Sequence, residues 1–202
     1  ITDPVNNPVM TGTNVAVTSY SDPENAGQLG GTQALESGGS NLRHEPIFRN
    51  NKLYFVHSVR SGTGGLYSSV RFLEIDVTTN TATSDVAQGA DNFWHFYPSL
   101  AVDAQGNAAI TYSRAGTAQY AGAYFTGKPA GFGGLTGSKV IKAGAGYYYK
   151  TFGGTRNRWG DYNGAALDPS NGNIWMLSEY VASANTWGSW IGELQFFSSA
   201  AL

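Results

Sequence analysis

The chain has 202 residues, of which 41% are hydrophobic, so it contains enough apolar side chains for a packed core. Its formal net charge is −2 and it has no basic stripe, which argues against a nucleic-acid partner, and no run of 18 apolar residues predicts a membrane span. Cysteine is absent, which excludes disulfides and thiolate metal sites, while 27 glycines and 13% aromatic residues are typical of an all-β chain.

Residues 1–40 form an N-terminal segment that we predict to supply part of a structural unit at most. Its β-prone run Asn14–Thr18 is a candidate for the outer strand of the last unit. The chain starts at Ile1 rather than Met, so we expect it to be trimmed or processed from a longer form. Low charge and abundant Tyr, Trp, Ser, Thr, Asn and Gly are typical of exported proteins, so we expect a secreted or cell-surface location.

Three units of strand, tight turn and strand follow this segment, within residues 41–90, 91–150 and 151–202. Each unit turns at a pair of residues that favour tight hairpins: Asn50-Asn51, Gly106-Asn107 and Gly172-Asn173. Each hairpin leads into one or two further β-prone runs that we predict to be strands: 66–75 and 81–86, 120–125 and 139–143, and 187–197.

The second and third units repeat each other at a constant spacing of 65 residues. The alignment of Asn92–Asp103 with Asn157–Asp168 matches two tryptophans, two tyrosines and two turn aspartates: Trp94 and Trp159, Tyr97 and Tyr162, Asp103 and Asp168. We predict that these aromatic residues pack between strands and that the aspartates cap turns through Asx-type hydrogen bonds. The first unit is a weaker copy, with Leu42 where the others have tryptophan.

Four short antiparallel strands every 50 to 65 residues are typical of β-propeller blades. We therefore predict an all-β fold built of about three to four blades, each a four-stranded antiparallel sheet, with a β-sandwich as the alternative. Known propellers have typically four to eight blades, so we expect an incomplete ring or part of a larger propeller. The missing blades would come from a missing portion of the sequence, a partner chain or a second copy.

One motif resembles a known protein family. The run Arg158-Trp-Gly-Asp-Tyr162, followed by Trp175, Glu179 and Trp187, is similar to the blade motif of secreted sialidase-like β-propellers of the BNR or Asp-box type. The resemblance covers about 40 residues and implies a glycoside hydrolase, a glycan-binding module or one of the family's many proteins of unassigned role. The sequence departs from the family pattern at the Asp-box, where the spacing after Asp103 is one residue too long, and it shows no recognisable arginine triad.

The repeat also predicts where a ligand would bind. In a propeller the first strand of each blade lines the central axis, so the lead-ins 43–45, 94–96 and 158–161 are expected to converge on one rim. We predict that this rim binds a polar ligand such as a sugar, through Arg43, His44, Glu45, His95, Arg158 and Trp159. Asp161 and Glu179 are the candidate catalytic carboxyls, and a structural salt bridge between Arg158 and Asp161 is the alternative.

These observations leave three functional hypotheses open. The first is an exported module that binds a glycan or a protein, or that builds a surface assembly. The second is a sialidase-like glycoside hydrolase, in which Tyr180 cannot easily assist the adjacent Glu179 because neighbouring strand residues face opposite sides. The third is a purely structural subunit. We predict no cofactor and no metal site, because the available donors follow no known ligand spacing: His44, Glu45, His95 and Asp161.

Overall fold

A computed structural model of the chain describes residues 5–196, which form eleven β-strands. Among these residues there is no α-helix, and the helical element that does occur is a 3-10 turn at Thr63–Gly65. The strands form three antiparallel sheets that follow one another along the chain, which confirms the prediction of an all-β protein built from consecutive hairpin units. The first two sheets have four strands, as predicted, and the third has three within the described residues.

Each sheet is a meander in which neighbouring strands are also neighbours in the sequence. The first sheet consists of β1 (Ile47–Arg49), β2 (Lys52–Ser61), β3 (Tyr67–Asp76) and β4 (Thr81–Gln88). The second consists of β5 (Phe93–Val102), β6 (Ala108–Gly116), β7 (Gln119–Lys128) and β8 (Lys139–Lys142). The third consists of β9 (Gly164–Leu167), β10 (Ile174–Ser183) and β11 (Thr186–Leu194). Phe197, the predicted end of the last strand, lies outside the described residues.

The two repeated segments hold equivalent places in two different sheets. β5 is an edge strand of the second sheet, and β9 is an edge strand of the third. Ala101 on β5 lies opposite Ala109, and Ala166 on β9 lies opposite Trp175. Because Ala101 and Ala166 are also matched in the sequence, the 65-residue alignment is a structural alignment of the two hairpins.

The turn after each repeated strand is closed by its aspartate. The carboxylate of Asp103 accepts a hydrogen bond from the backbone N–H of Asn107 at 2.8 Å and another from the side-chain amide of the same residue at 2.7 Å. The carboxylate of Asp168 accepts one from the backbone N–H of Ser170 at 2.9 Å. These bonds satisfy turn N–H groups that the sheet leaves unpaired, so the prediction that both aspartates cap turns is confirmed.

The second sheet is packed between the other two. One of its faces meets the first sheet in an apolar cluster that includes Tyr54, Phe72, Leu100 and Ile110. Its opposite face meets the third sheet in a smaller cluster of buried residues: Ala101, Ala109, Ile174 and Met176. Successive residues of one strand, such as Leu100 and Ala101 on β5, therefore contribute to different clusters, because neighbouring side chains of a β-strand point to opposite faces.

A third cluster holds the repeated aromatic residues and lies beside the loop that leads into the third sheet. Trp94, Tyr97 and Trp159 are all buried in it, which confirms the prediction that they are packing residues. The same prediction is wrong for Tyr162, which is 67% exposed. The reason is strand length: β5 already includes Tyr97, whereas β9 begins only at Gly164 and leaves Tyr162 in the preceding loop.

The N-terminal segment connects the first sheet to the loop before the third. The backbone N–H of Thr18 donates a hydrogen bond to Asp85 on β4 at 2.8 Å, and further along Leu35 forms a parallel bridge with Asn157. The suggestion that Asn14–Thr18 provides the outer strand of the last unit is therefore wrong. This run forms no strand and ends against the first sheet, because Asp85 accepts its backbone N–H there.

Candidate functional site

The third sheet and the loop before it enclose a pocket of about 250 Å³, which we call the Asp161 pocket. Its walls are residues of the 148–161 loop on one side and residues of β10 and β11 on the other. Aromatic side chains, charged side chains and one glycine line it: Tyr148, Phe152, Arg158, Trp159, Gly160, Asp161, Glu179 and Trp187. Four of the site residues predicted from the sequence share this pocket: Arg158, Trp159, Asp161 and Glu179.

A close approach of backbone and side chain fixes one of the two carboxyl groups. The backbone N–H of Gly160 donates a hydrogen bond to Oε2 of Glu179 at 3.1 Å. A Cβ atom on residue 160 would overlap the Glu179 carboxylate, so the observed arrangement requires glycine there. The Arg-Trp-Gly-Asp-Tyr motif thus contains a glycine because the loop backbone meets a carboxylate projecting from β10.

The second carboxyl group belongs to a chain of ion pairs. Nη2 of Arg158 lies 2.8 Å from Oδ2 of Asp161, and Nη1 of the same guanidinium lies 2.9 Å from Oε2 of Glu36. Glu36 also pairs with Arg156 at 2.9 Å. The salt bridge that the sequence left as an alternative role for Arg158 and Asp161 is therefore present, and both side chains still line the pocket.

The two carboxyl groups differ in electrostatic environment. Burial raises the pKa of Glu179 above its usual value, the negative charge of Asp161 adds to the rise, and the hydrogen bond from the Gly160 amide opposes it. Asp161 is instead held beside the guanidinium of Arg158. One pocket therefore contains a carboxyl group that keeps its proton to a higher pH than usual and a second one paired with a fixed positive charge.

Aromatic rings supply the remaining walls of the Asp161 pocket. Trp159 and Tyr148 are buried at its base, with ring centroids 5.1 Å apart in an edge-to-face contact. Phe152 and Trp187 are mostly exposed and present ring surface to solvent at its mouth. Exposed rings beside hydrogen-bonding groups are suited to a ligand that has both apolar faces and polar edges.

Three further predicted site residues, Arg43, His44 and Glu45, lie in a second, more open pocket of about 540 Å³, which we call the Arg43 pocket. It is lined by the lead-in to the first sheet and one residue of the third unit: Asn41, Leu42, Arg43, His44, Glu45, Pro46 and Tyr162. The structure therefore divides the predicted rim between two pockets. Consecutive residues line the two pockets, because Asp161 lines the Asp161 pocket and Tyr162 lines the Arg43 pocket.

Tyr97 lies between the charged groups of the two pockets. The guanidinium of Arg43 is stacked 5.2 Å from the centroid of the Tyr97 ring. Burial raises the pKa of the Tyr97 hydroxyl strongly, the charges of Asp161 and Glu36 raise it further, and those of Arg43 and Arg158 oppose this. Charged residues of the first and third lead-ins therefore lie near one buried tyrosine of the second sheet.

His95 lies in the core, away from both pockets. It is 1% exposed, and its Nδ1 donates a hydrogen bond to the backbone carbonyl of Ser68 at 2.8 Å. Its ring packs against Tyr112, with centroids 5.2 Å apart. Position 95 belongs to a strand that extends further than the sequence indicated, so its side chain packs between sheets, and we omit it from the candidate ligand-binding residues.

Acid should destabilise the protein through this buried histidine. Burial lowers the pKa of His95 to about 4, well below its usual 6.5, so the folded state resists a proton that the unfolded state accepts. The stability from the neutral ring is complete above pH ~6.5 and is lost as the pH falls towards 4, about 3 kcal/mol in all. Urea unfolding across this range should show a weaker pH dependence for His95→Gln, and an unchanged slope would contradict the assignment.

The contact between Gly160 and Glu179 yields a second prediction. In Gly160→Ala the new methyl group displaces the Glu179 carboxylate, whereas the free energy of unfolding changes by less than about 1 kcal/mol because a flexible side-chain end moves aside. The wild-type amide proton of residue 160 should shift in NMR spectra as Glu179 titrates, and the variant's should not. Gly133→Ala, where a methyl group meets open space, is the matched control. An amide that still follows the titration in Gly160→Ala would refute this geometry.

Several residues of the site were not predicted from the sequence. Glu36 lies in the N-terminal segment, which has no counterpart in the repeat, so nothing in the pattern pointed to it. Phe152 and Tyr148 lie in a glycine-rich and tyrosine-rich loop without a motif. Trp187 was named as a strand residue and as part of the family resemblance but not as a site residue, although it lies opposite Val181 and lines the pocket.

Neither a metal centre nor a membrane helix is found in residues 5–196. Within that range no group of three or more His, Asp or Glu side chains is arranged to hold a metal ion. The described residues also contain no helix of the length and apolar character needed to cross a bilayer.

Comparison with known proteins gives one structural similarity. No protein family matches the chain, and no curated protein matches it in a sequence comparison. A similar solved structure is the crystal structure of a protein of unknown function from Dyadobacter fermentans DSM 18053, with 14% sequence identity and a TM-score of 0.48. The match covers 70% of this chain and 35% of that one, so the chain spans about a third of that protein's length.

Proposed function

We propose that this chain is a saccharide-binding module and that the Asp161 pocket is its binding site. The observation that carries the proposal is the pairing of charged hydrogen-bonding groups with exposed rings in one small pocket. Arg158, Asp161 and Glu179 offer donors and acceptors, while Phe152 and Trp187 offer flat apolar surface at the mouth. A sugar ring presents the complement of this arrangement, with hydroxyl groups around its edge and C–H groups on its faces.

The size and charge of the pocket narrow the ligand. Its volume of about 250 Å³ lies below the ~300–1,000 Å³ of most ligand pockets, which favours a single terminal sugar unit. The guanidinium of Arg158 can donate two parallel hydrogen bonds to neighbouring oxygens of a sugar. The carboxylate of Asp161 accepts hydrogen bonds from hydroxyl groups, and protonated Glu179 can donate one.

A second candidate function is glycoside hydrolysis at the same pocket, which the contrast between the two carboxyl groups favours. Glu179, whose pKa is raised, would donate its proton to the glycosidic oxygen as the C–O bond to the leaving group breaks. Asp161 would take a proton from the water that attacks the anomeric carbon, which yields the hydrolysed sugar. Asp161 then releases that proton to solvent, and Glu179 takes one up from solvent, so both carboxyl groups return to their starting states. The resemblance of the Arg158–Tyr162 motif to sialidase-like proteins supports a role with glycans in either case.

We also propose that the three sheets are consecutive blades of a β-propeller. Support comes from their meander topology, from their stacking in chain order and from the contacts of the edge strand β5 with both β1 and β9. An export route to the cell surface or the medium, as the composition favours, would bring such a module to extracellular glycans. Binding of a protein ligand, or assembly into a surface structure, are the other roles that this architecture permits.

Tryptophan fluorescence and turnover assays test the two functions separately. A panel of free monosaccharides and short oligosaccharides, including acidic sugars, should quench or shift the emission of Trp187 on binding. Release of nitrophenol from aryl glycosides of the bound sugars measures hydrolysis. Under the hydrolase alternative, Glu179→Gln should bind but not turn over substrate. Absence of binding by every saccharide at millimolar concentration would contradict both functions.

A further inference from the structure

A pocket of about 460 Å³ lies between the first and second sheets, at the end where β2 begins and where β3 and β7 end. Residues of β2, β3, β4 and β7 line it, together with the 130–133 loop that follows β7. We call it the Lys128 pocket. It shares no lining residue with the Asp161 pocket or the Arg43 pocket, so it is a separate site.

Lys128 is a buried cation in the lining of this pocket. It is 5% exposed, and its ammonium group lies 5.8 Å from the centroid of the Phe72 ring, in the apolar cluster between the two sheets. Its Nζ donates a hydrogen bond to the backbone carbonyl of Phe132. Within residues 5–196 no carboxylate forms an ion pair with it. An ammonium group has three N–H donors, so this arrangement leaves it short of acceptors and without a counter-ion.

The repeat shows that packing does not require a lysine at this position. Lys128 lies opposite Ala108, the first residue of β6, and Leu194 lies opposite Ile174, the first residue of β10. Ala108 and Ile174 are equivalent because each lies opposite the last residue of one of the aligned strands β5 and β9. The third sheet therefore has a leucine where the second has Lys128, and that leucine packs against an apolar cluster.

The other charged groups in the lining have partners of opposite charge. Lys52 forms an ion pair with Glu74. The carboxylate of Asp85 accepts two hydrogen bonds from Arg71, each 2.6 Å long. Lys128 is therefore the surplus positive charge of the pocket. Burial lowers the pKa of its ammonium group, the charge of Glu74 opposes this, and the charge of Lys52 adds to it.

We propose that the Lys128 pocket binds a small organic acid, whose carboxylate is the counter-ion of the Lys128 ammonium group. One surplus positive charge matches a ligand with one negative charge, because a buried charge is costly unless it is paired. The carboxylate oxygens accept the N–H groups that the loop carbonyl leaves free. Phe132 lines the same pocket and is 51% exposed, so its ring offers a surface for an apolar or aromatic body of the acid.

The size of the pocket agrees with a ligand of this kind. Its volume of about 460 Å³ lies within the ~300–1,000 Å³ of most ligand pockets and exceeds what a carboxylate group alone would fill. The inference rests on Lys128 and its surroundings, and it holds whether or not the Asp161 pocket binds saccharides.

An NMR titration of the full chain with benzoate, at constant ionic strength, tests the proposal. Benzoate should shift the amide signals of residues 128–133 saturably, whereas benzyl alcohol, its uncharged analogue, should bind at least about tenfold more weakly because it offers no counter-ion. Phenyl phosphate, which has a second negative charge, should bind no more tightly than benzoate.

Substitutions of lysine test the role of the charge. Lys128→Leu introduces the residue that the third sheet has at this position, and it should lower the affinity for benzoate at least about tenfold. Lys139→Leu removes an exposed lysine from β8 and is the matched control, in which the affinity for benzoate should be unchanged. If Lys128→Leu does not fold, the comparison of benzoate with benzyl alcohol in the wild type decides the question.

Four outcomes would overturn the proposal. The amides of residues 128–133 could show no saturable shift at about 10 mM benzoate, a concentration well above the Kd expected of a specific site. Benzyl alcohol could bind as tightly as benzoate, or phenyl phosphate more tightly. Folded Lys128→Leu could retain the wild-type affinity for benzoate. None of these results depends on saccharide binding, which the fluorescence assay measures separately.

Discussion

Trp159→Ala is expected to cost about 3–5 kcal/mol of the free energy of unfolding, as truncations of buried tryptophans do. The indole is 3% exposed and lies in the cluster that joins the second sheet to the loop before the third. It makes edge-to-face contacts with Phe96 and Tyr148, and its Nε1 donates to the hydroxyl of Ser113. The truncation leaves a cavity and removes the hydrogen bond from the indole to Ser113, whose hydroxyl keeps only the contact at 3.5 Å from the side-chain amide of Asn163.

Trp187→Ala provides the matched control for this measurement. Trp187 is 53% exposed, so its removal should cost less than about 1 kcal/mol. Urea unfolding of both variants, followed by circular dichroism, gives the two values directly. Similar small costs for the two tryptophans would show that Trp159 is not the core residue described here.

The paired substitution Arg158→Ala with Asp161→Ala is expected to weaken saccharide binding at least about 100-fold. Each residue supplies charge-assisted hydrogen bonds worth about 1.5–3 kcal/mol, and both are lost together. The melting temperature should change little, because the ion pair is partly exposed and Glu36 retains Arg156 as a partner. Loss of binding with retention of the fold identifies a functional role for the pair.

A second exposed ion pair, outside the lining of the pocket, serves as the control. Arg60, on β2 of the first sheet, and Glu24 are paired at 2.6 Å, and neither residue lines the Asp161 pocket. Their double replacement by alanine removes the same charges and should leave saccharide affinity unchanged. If Arg158→Ala with Asp161→Ala unfolds the chain, and the wild type binds no saccharide, the pair is a structural plug and the proposed site is wrong.

The strands and turns were predictable because they depend on local chemistry. Asn50 and Asn51 adopt φ values of 51° and 57°, a left-handed turn that asparagine tolerates better than most residues. The aspartates of the two repeated turns bond to N–H groups within four residues, which a sequence pattern can express. The 65-residue repeat then allowed the second and third sheets to be predicted as equivalent units.

The errors arose where strand length or distant contacts decide the outcome. The aligned pair Tyr97 and Tyr162 differs in burial because β5 is six residues longer than β9, which the matched letters do not reveal. His95 entered the core for the same reason. Glu36 reaches Arg158 through an N-terminal segment whose path depends on tertiary packing. The Asp161 pocket was predicted in part. The Arg158–Tyr162 motif marks its loop, whereas no motif marks the aromatic rings of Phe152 and Trp187 at its mouth.

An NMR titration of the chain with saccharides tests the binding proposal most directly. The two reporters are the indole N–H of Trp187 at the pocket mouth and the amide N–H of Gly160, which donates to Glu179. The proposal predicts that a bound sugar shifts both signals saturably, while amides of the first sheet stay unchanged. Saturable shifts confined to other parts of the chain, or no shifts at millimolar saccharide, would contradict the assignment of the Asp161 pocket as the binding site.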